Sequence, residues 1–448
     1  MQKTLTGREI LMDRIKVVWI CHFSNTTVRS RLKLSKLGIQ NTLRRILGKN
    51  KKRVSSDFAP WISNLIKEFE NLNDCELHVI SPHQGLKRFT QEFSINGVHY
   101  HFFKPELPFI LSKLVNKIYK GRKHYWLNRF FVKRFIKKIN PDIVNLIGTE
   151  NPYYSIATLD IKGIPVYVSA QTVYTNPSRM ELTGNVQQDR WDLEFQIHKK
   201  EQYFGCSGRM HRDLVLKNNP QAIIFKMFFP IQYPNKVRDV PKEYDFVFFA
   251  AGVTKKKGIE DAIDALAQVT IKYSGIKLNV VGKCDYNYKE FLQKKIDSLG
   301  LQDNISFNNY FPVHSDMHQH IKKSRFALLP VKLDAISGTI IEAMLLELPL
   351  ITYKTTGTPY LNKDGETVLL ADIGDIDMIA KNMLTLLENP DLADSLCKKA
   401  KAFVENEFDN TKTAKRLVDN YKAVINHYHH NIPIPKEQLF STEEFPLY

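Results

Sequence analysis

The sequence predicts an α/β protein in which two doubly wound parallel sheets follow one another along the chain. The chain has 448 residues, which is more than one ordinary hydrophobic core holds. Short buried strand patterns alternate with helical patterns in both halves, as they do in βαβ units. Between the halves, residues 228–244 contain three prolines and little periodicity, which is typical of a domain linker.

The N-terminal half opens with the strand pattern 15–21 and the polar segment 22–27, and residues 28–56 are basic and irregular. Asp57 stands where it can cap a helix whose apolar residues recur at helical spacing, and residues 76–81 form the next strand. The remaining predicted elements are a hairpin or edge strand over 94–104, helices over 110–139, 183–202 and from 211, and strands over 142–147, 165–169 and 204–206.

The C-terminal half repeats the alternation with short loops. The predicted strands are 245–251, 277–281, 305–307, 326–330 and 349–352, and the predicted helices are 258–273, 288–299, 314–323 and 339–346. Ligands of such sheets bind at the carboxyl ends of the strands, so the cleft between the two domains is the expected site.

The domain boundaries follow from this pattern. We predict an N-terminal domain over 1–228, a second domain over 229–425 that holds the loops discussed below, and a tail over 426–448. The chain end from about residue 409 is expected to cross back over the N-terminal domain.

Composition limits the class of protein. Hydrophobic residues make up 43% of the chain and charged residues 25%, and no apolar run is long enough to span a bilayer. The N-terminus lacks the apolar core of a signal peptide, so we expect a cytoplasmic protein. The five scattered cysteines form no metal or disulfide pattern, and the histidine run 427–430 lacks nearby carboxylates, so no metal site is predicted.

The net charge of +17 favours anionic partners. Residues 29–53 and 109–139 each hold ten Lys or Arg and no acid, and aromatic side chains are interleaved with the cations of the second segment. This segment suits an interfacial helix on the anionic inner face of a cell membrane. It equally suits an amphipathic helix packed on its own domain with a solvated basic face.

Two loops of the C-terminal half could carry chemistry. In the first, a strand ends at Pro330, and Ser337, Gly338 and Thr339 open a helix whose first N–H groups suit a phosphate. Asp334 on that loop and Glu342, eight residues later, could accept hydrogen bonds from polyol hydroxyls. The alternative is that both are solvated acids near a helix N-terminus.

The second loop runs from Gly252 through Lys255, Lys256 and Lys257 to Gly258. A lysine there could lie against a diphosphate and neutralise the charge of that group as it departs. The alternative is that the three lysines of this turn are ordinary solvated surface residues. Two weaker signals, Gly282 and Asn308, follow strands at the same edge of the predicted sheet.

These pieces together resemble the glycosyl transferases group 1 family (glycosyltransferase family 4), clearly over 245–425 and more loosely over 15–230. The family's E-x7-E pattern stands here as Asp334-x7-Glu342, and its R-x4-K-G pattern stands as Gly252 through Lys257-Gly258. The resemblance implies the GT-B fold, in which two Rossmann-like domains face each other across a cleft. It also implies a nucleoside-diphosphate sugar as co-substrate, with UDP or GDP, and no cofactor.

What the resemblance implies for the site is specific. Lys257 and the helix start would stabilise the leaving diphosphate, Glu342 would hold the ribose and Asp334 the donor sugar. Transfer would retain the anomeric configuration and need no metal, on a glycan or lipid-linked acceptor in cell-surface polysaccharide or glycoconjugate synthesis. The expected acceptor-side residues are His22, Ser24, Glu150 and Arg209, although Arg209 could instead form a surface ion pair with Asp213.

Two other interpretations stay open, one from departures from the family pattern and one from the net charge of +17. The family arginine is replaced by Gly252, the first glutamate is the shorter Asp334, and the glycine-rich loop after the first strand is absent. The chain could therefore be a weak or inactive donor-binding relative that serves as a partner subunit. A basic nucleic-acid-binding protein is the other alternative, but no nucleic-acid-binding motif supports it.

Overall fold

A computed structural model describes most of the chain. The described residues are 14–35, 58–105, 125–171, 173–177, 187–234, 237–308, 310–311, 313–333, 336–355 and 357–443. Much of the basic segment 29–53, and residues 109–124 of the second basic segment, lie outside these ranges, as does Asp334.

The N-terminal domain is built on one sheet. Its strands are β1 (Ile15–Ile20), β2 (Cys75–Pro82), β3 (Thr90–Ile95), β4 (Val98–Phe103), β5 (Ile143–Ile147), β6 (Val166–Ser169), β7 (Tyr203–Cys206) and β8 (Ile223–Lys226). Its helices are α1 (Thr26–Arg31), α2 (Pro60–Phe69), α3 (Trp126–Ile139), α4 (Pro152–Ser155), α5 (Gln188–Lys200) and α6 (Arg209–Asn218), with a 3-10 turn over Ile156–Asp160.

The C-terminal domain is built on a second sheet. Its strands are β9 (Tyr244–Val253), β10 (Leu278–Cys284), β11 (Ile305–Asn308), β12 (Ser324–Leu329), β13 (Leu350–Tyr353) and β14 (Leu369–Ala371). The helices are α7 (Ile259–Thr270), α8 (Tyr286–Ser298), α9 (His314–Ile321), α10 (Gly338–Leu345), α11 (Thr358–Leu361), α12 (Ile376–Glu388), α13 (Pro390–Glu407) and α14 (Asn410–His430). Short 3-10 turns cover Lys255–Lys257, Lys363–Gly365 and Lys436–Gln438.

Both sheets are doubly wound. The strand order is β3-β4-β2-β1-β5-β6-β7-β8 in the first and β11-β10-β9-β12-β13-β14 in the second. All the described pairings are parallel except β3 with β4, the predicted hairpin at the edge. The order reverses between β1 and β5 and between β9 and β12, so each domain has a switch point where ligands of such sheets bind.

Buried apolar residues cover both faces of each sheet. One face of the first sheet packs on α2 and α14, and the other packs on α3, α5 and α6. The second sheet is covered by α7 and α12 on one face and by α10 and α13 on the other. Parallel strands need this cover on both faces, which explains their near-continuous apolar sequences.

The long helix α14 crosses back to the N-terminal domain, as the sequence suggested. The crossing begins at Asn410, whose side chain bonds both backbone groups of Ile231 in the linker at 2.9 Å. Further along, the buried Tyr421 hydroxyl accepts a hydrogen bond from Trp19 Nε1 at 3.1 Å and another from Asn145 Nδ2. The return to the N-terminal domain therefore starts ahead of residue 426.

Several local predictions were wrong. Residues 26–31 form a helix that Asn25 caps by accepting from the Val28 N–H at 2.8 Å, so this part of the basic segment is regular. Helix α2 does not start at Asp57: its N-cap is Ala59, with φ of 53°, and Pro60 is its first residue because proline suits that position. Helix α6 starts at Arg209 rather than at residue 211.

Within the described ranges, no helix is both long enough and apolar enough to cross a membrane. The described part of the second basic segment, α3, buries Phe131, Val132, Phe135 and Ile136 against its own domain. One face of residues 126–139 therefore packs on its own domain, while Trp126 and Phe130 of the same helix are exposed.

Candidate functional site

The switch point of the second sheet brings the two predicted loops together. The Lys332 N–H donates to the Lys256 carbonyl at 3.0 Å, which joins the loop after β12 to the turn after β9. Gly258 has φ of +82°, and a Cβ built on it would lie 1.8 Å from the Pro330 carbonyl oxygen. Only glycine allows the two backbones to come this close.

Lys332 also anchors the first loop through its side chain. Its Nζ donates to Asp261 Oδ1 at 2.6 Å, and the Tyr353 hydroxyl donates to Asp261 Oδ2 at 2.6 Å. Asp261 is 7% exposed, and burial raises the pKa of Tyr353, which therefore stays a donor. A buried ion pair whose polar atoms all have hydrogen-bond partners holds its side chains in one geometry. The Lys332–Asp261 pair therefore fixes the loop after β12 before any ligand binds.

The start of α10 forms one wall of the site. Ser337 is buried and precedes the helix, Gly338 is exposed, and Thr339 shares a hydrogen bond with the Ser337 hydroxyl at 2.9 Å. The first N–H groups of any helix lack intrahelical acceptors and carry partial positive charge. This helix start can therefore receive an anion.

Glu342, in the second turn of α10, faces two histidines of α9. Its carboxylate oxygens lie 3.5 Å from His314 Nε2 and 3.9 Å from His318 Nε2. Burial lowers the pKa of His314, against the opposing effect of the Glu342 charge. His318 is 2% exposed, and neither of its ring nitrogens has a hydrogen-bond partner among the described residues.

These three side chains are also chemically suited to a metal. The ligand atoms of His314, His318 and Glu342 all lie within 4.8 Å of one another. Two imidazoles and a carboxylate are a donor set that zinc accepts. The sequence had suggested a hydroxyl-binding role for Glu342 and had not used the histidines.

Gly252, Gly282 and Asn308, which the sequence placed after strands, lie within strands. Gly252 is in β9, and a Cβ there would meet its nearest atom at 3.9 Å, so a side chain has room. Gly282 is in β10 with φ of +142°, and its Cβ would lie 2.1 Å from the Ala250 carbonyl. Asn308, at the end of β11, donates to Asn279 Oδ1 at 2.8 Å.

On the N-terminal side, His22 follows β1 at the switch point. Its ring lies 4.7 Å from the Phe58 ring and 6.4 Å from the Tyr154 ring. Burial, with a smaller contribution from His83, lowers the pKa of His22 to about 4, so the imidazole is neutral near pH 7. Ser24 pairs its backbone with Phe58, and its hydroxyl accepts from Arg29 at 2.9 Å.

Glu150 stands across that switch point, after β5. A Cβ on Gly148 would lie 2.7 Å from a Glu150 carboxylate oxygen and 3.0 Å from the Tyr154 hydroxyl, so these groups gather over the glycine. Arg209 begins α6, after β7, and Asp213, which was considered as its ion-pair partner, contacts Arg212 Nη1 at 2.6 Å.

The structure thus gathers the expected residues into two groups. Lys256, Lys257, Ser337 and Gly338 surround one switch point, and His22 and Glu150 flank the other. Asp334 lies outside the described residues. Lys257 is half-exposed in the turn that the Lys332 contact fixes.

The match to a known family decides how this arrangement is understood. The model of the family described as "Glycosyl transferases group 1" matches residues 235–403. Residues 235–403 are therefore similar to that family, and the rest of the chain lies outside the match. The match includes the turn at Lys257, the loop after β12 and the whole of α10.

Individual relatives are distant. The chain is 25% identical over 150 residues to 2-deoxystreptamine N-acetyl-D-glucosaminyltransferase of Niallia circulans, which covers 34% of this chain and 38% of the relative. It is 24% identical over 186 residues to the capsular polysaccharide biosynthesis glycosyltransferase CapM of Staphylococcus aureus, covering 40% and 46%. The chain spans less than half the length of these curated relatives in the regions that match.

Structural similarity extends further along the chain. Alr3699/HepE of Anabaena, solved in complex with UDP-glucose, matches over 91% of this chain with a TM-score of 0.60 and 14% identity.

 In the UDP-glucose complex the matched share of the HepE chain is 99%, and in the complex with UDP it is 98%. At this level of identity the likeness shows the fold, and the fold is GT-B: two Rossmann-like domains, as the sequence predicted.

Sequence reasoning missed several residues that shape this site. Lys332 and Asp261 gave no signal, because their pairing joins elements that are 71 residues apart. His314 and His318 did give one: histidines four residues apart lie on the same face of a helix. That spacing could have been connected with Glu342.

Proposed function

We propose that this chain transfers a glycosyl group from a nucleoside-diphosphate sugar to a hydroxyl of a glycan or lipid-linked acceptor. The observation that carries the proposal is the joining of three features at one switch point. The basic turn Lys255–Lys257, the start of α10 and the Glu342 carboxylate surround the carboxyl ends of β9 and β12. Cationic and N–H groups suit a diphosphate, and a carboxylate suits vicinal hydroxyls.

The chemistry assigns a role to each group. The bond between the sugar C1 and the diphosphate oxygen breaks, a bond from C1 to the acceptor oxygen forms, and the acceptor proton passes to the leaving diphosphate. Lys257 and the N–H groups at Gly338 and Thr339 neutralise the charge that develops on that leaving group. Glu342 holds the ribose, and Asp334 contacts the donor sugar. Following the family resemblance, we propose retention of the anomeric configuration without a required metal.

A binding experiment tests the donor site first. Melting temperatures are measured with UDP-, GDP- and ADP-sugars for the wild type, Glu342→Ala and Lys257→Ala. The matched controls are Glu290→Ala and Lys294→Ala, an exposed i,i+4 pair on α8. A ligand at about 100 times its dissociation constant stabilises the native state by about 2.7 kcal/mol. We expect a UDP- or GDP-sugar to stabilise the wild type and both controls, with the effect lost in both site variants.

The absence of a shift with every nucleotide sugar would contradict the proposed donor site. A shift that survives both Glu342→Ala and Lys257→Ala would place the donor elsewhere. Once a donor is known, the anomeric configuration of the product, measured by NMR, tests retention. Transfer measured with and without a chelator tests metal independence. The test is needed because the histidines beside Glu342 could hold a metal ion with it.

A second candidate function is donor binding without efficient transfer, as a partner subunit. It is favoured by Gly252, which occupies the family arginine position and so removes one cation from the diphosphate site. The surrounding space accepts a side chain, since a Cβ would meet nothing closer than 3.9 Å. If Gly252→Arg raises transfer from undetectable to measurable, while donor binding in the wild type is already present, this second function is supported.

We also propose that the chain acts at an anionic membrane surface, on a glycan or lipid-linked acceptor in polysaccharide or glycoconjugate synthesis. Phe89, Trp126 and Phe130 are each about half exposed on or beside the basic helix α3, and Phe89 and Phe130 both contact Phe131. Exposed aromatic side chains among cations suit an anionic lipid surface. Sedimentation with phosphatidylglycerol vesicles tests this, and binding that is unchanged in Phe89→Ser/Phe130→Ser would refute it.

A further inference from the structure

A cluster of ionisable side chains lies on the N-terminal sheet, away from both switch points. We call Glu76, His78, His99, His101 and Glu92 the histidine cluster. His78 on β2 is opposite His99 on β4, and His101 on β4 is opposite Glu92 on β3. Because side chains alternate along a strand, these residues share one face, whereas Leu77, Val79 and Tyr100 point into the core on the other.

The cluster contains a continuous chain of polar contacts. Glu76 Oε1 lies 2.8 Å from His78 Nε2, His78 Nδ1 lies 3.1 Å from His101 Nε2, and His101 Nδ1 lies 2.7 Å from Glu92 Oε2. His78 and His101 are 8% and 6% exposed, so water does not substitute for these partners easily. Lys138 holds the far end by donating to both oxygens of Glu92, at 3.0 and 2.8 Å.

Counting hydrogens reveals a mismatch in this chain. Each of its three contacts requires one bridging hydrogen, because a carboxylate oxygen and a bare ring nitrogen are both acceptors. Two neutral imidazoles supply only two N–H groups. Consider the case in which one hydrogen lies between His78 and His101 and the other lies between His101 and Glu92. Nε2 of His78 and the Glu76 carboxylate then face each other with lone pairs. They need a cation between them.

His99 supplies a further ligand atom for a cation beside His78 and Glu76. Its ring stacks on the His78 ring with centroids 4.6 Å apart, and its Nδ1 lies 2.8 Å from the Ser94 hydroxyl. When Nδ1–H donates to Ser94, the lone pair of the ring is on Nε2. Ligand atoms of Glu76, His78 and His99 all lie within 4.8 Å of one another.

We propose that Glu76, His78 and His99 bind a divalent transition-metal ion, with Zn²⁺ as the ion that this donor set fits best. Two imidazoles and one carboxylate, with a position left for water, are an established zinc coordination set. The remaining partners perform the supporting function usual at metal sites: Ser94 orients one ligand, and His101 with Glu92 orients another. The cluster borders a cleft of about 410 Å³, which gives the ion access.

The surrounding charges permit such an ion. Lys16, Lys138 and Glu92 line the same cleft, and the Glu76 carboxylate contacts His78 beside it. The Lys138 charge is engaged by Glu92, and the Lys16 ammonium lies 3.4 Å from the Ile139 carbonyl. The bound ion would join β2 to the edge hairpin β3–β4, so its effect is on the stability of this edge, independently of glycosyl transfer.

The experiment titrates Zn²⁺ into the full chain, freed of metal by a chelator, in competition with a zinc indicator. We expect a dissociation constant of about 1 µM or below for the wild type. His99→Ala and Glu76→Gln should weaken binding by about 100-fold, and Glu92→Gln by about tenfold, because it removes a supporting partner and no ligand. His99 is half-exposed, so its variant should fold, and circular dichroism checks this.

His314→Ala is the matched control, because His314 belongs to the other group of residues able to hold a metal. It should leave this affinity unchanged. Co²⁺ in place of Zn²⁺ should give the visible absorption of a four-coordinate ion in the wild type and His314→Ala and lose it in His99→Ala. Binding lost in His314→Ala but kept in His99→Ala overturns the proposal. So does failure to bind Zn²⁺ in the micromolar range, which would leave the cluster bridged by a proton.

Discussion

The two switch points of this protein are formed by different chemical groups, backbone in one and side chains in the other. In the C-terminal domain the site is shaped by backbone: Gly258 lies against the Pro330 carbonyl, Gly282 lies against the Ala250 carbonyl, and a helix start supplies N–H groups. In the N-terminal domain the corresponding position is filled by side chains, namely His22, Glu150 and Tyr154.

This difference teaches how one fold can serve two ligands. Backbone groups cannot be exchanged by substitution, so a site made from them suits a chemically constant group such as a diphosphate. Side chains can be replaced one at a time without disturbing the sheet, so a site made from them suits the acceptor of the proposed transfer. The predictions below test this contrast.

Gly258→Ala should have the largest effect. The left-handed φ costs about 1–2 kcal/mol for a residue with a Cβ, and the Pro330 backbone must also move away from an atom placed at 1.8 Å. We expect a loss of about 4 kcal/mol in the free energy of unfolding of the C-terminal domain, since overpacking adds about 1–3 kcal/mol. Urea titration followed by circular dichroism measures it.

Gly148→Ala is the matched control in the N-terminal domain. Its φ of +81° is nearly the same, but the Cβ would meet the ends of the Glu150 and Tyr154 side chains, and a side chain can rotate away. The loss should be about 1–2 kcal/mol, from backbone conformation alone. Equal losses for the two variants would remove the distinction between backbone-built and side-chain-built switch points.

Tyr421→Phe should have the next largest effect, on the free energy of unfolding of the N-terminal domain. The hydroxyl accepts from Trp19 and Asn145, and all three residues are fully buried, so phenylalanine leaves two donors without a partner. At about 1–3 kcal/mol for each, we expect a loss of about 3 kcal/mol. The control is Tyr203→Phe, whose hydroxyl contacts His427 at a partly exposed position. If both variants lose about 1 kcal/mol or less, α14 is not held to the sheet by this bond pair.

The smallest expected effect is on the free energy of unfolding at acid pH, through the protonation of His22. Its pKa falls from the ordinary 6.5 to about 4 on folding, so the unfolded chain binds the proton more tightly. The stability that neutral His22 contributes is complete above pH 6.5 and is lost as the pH falls toward 4, by about 2 kcal/mol at pH 5. His22→Gln should therefore lose less stability than the wild type between pH 7.5 and pH 5, as measured by urea titration at each pH. An identical pH dependence would contradict the buried, neutral state of His22.

Much of the fold was predictable from the sequence, because parallel strands buried on both faces leave an apolar pattern that alternates with helical periodicity. The strands at 15–20, 75–82 and 143–147 illustrate this. The caps were less predictable. Asp57 has the right chemistry for a helix start, yet the chain begins α2 at Pro60, since a local preference of about 1 kcal/mol yields to packing.

The candidate site divides in the same way. The sequence by itself determined that a basic turn ends at Gly258 and that a helix starts at Ser337–Thr339, because each carries a local chemical pattern. Only the tertiary structure decided what holds them: Lys332 on Asp261, Pro330 on Gly258, and His314 and His318 beside Glu342. Such partners are distant along the chain, and nothing in a local pattern encodes which of many distant residues will meet. That is set by the order of strands in the sheet and by the volume that the packed helices leave between them.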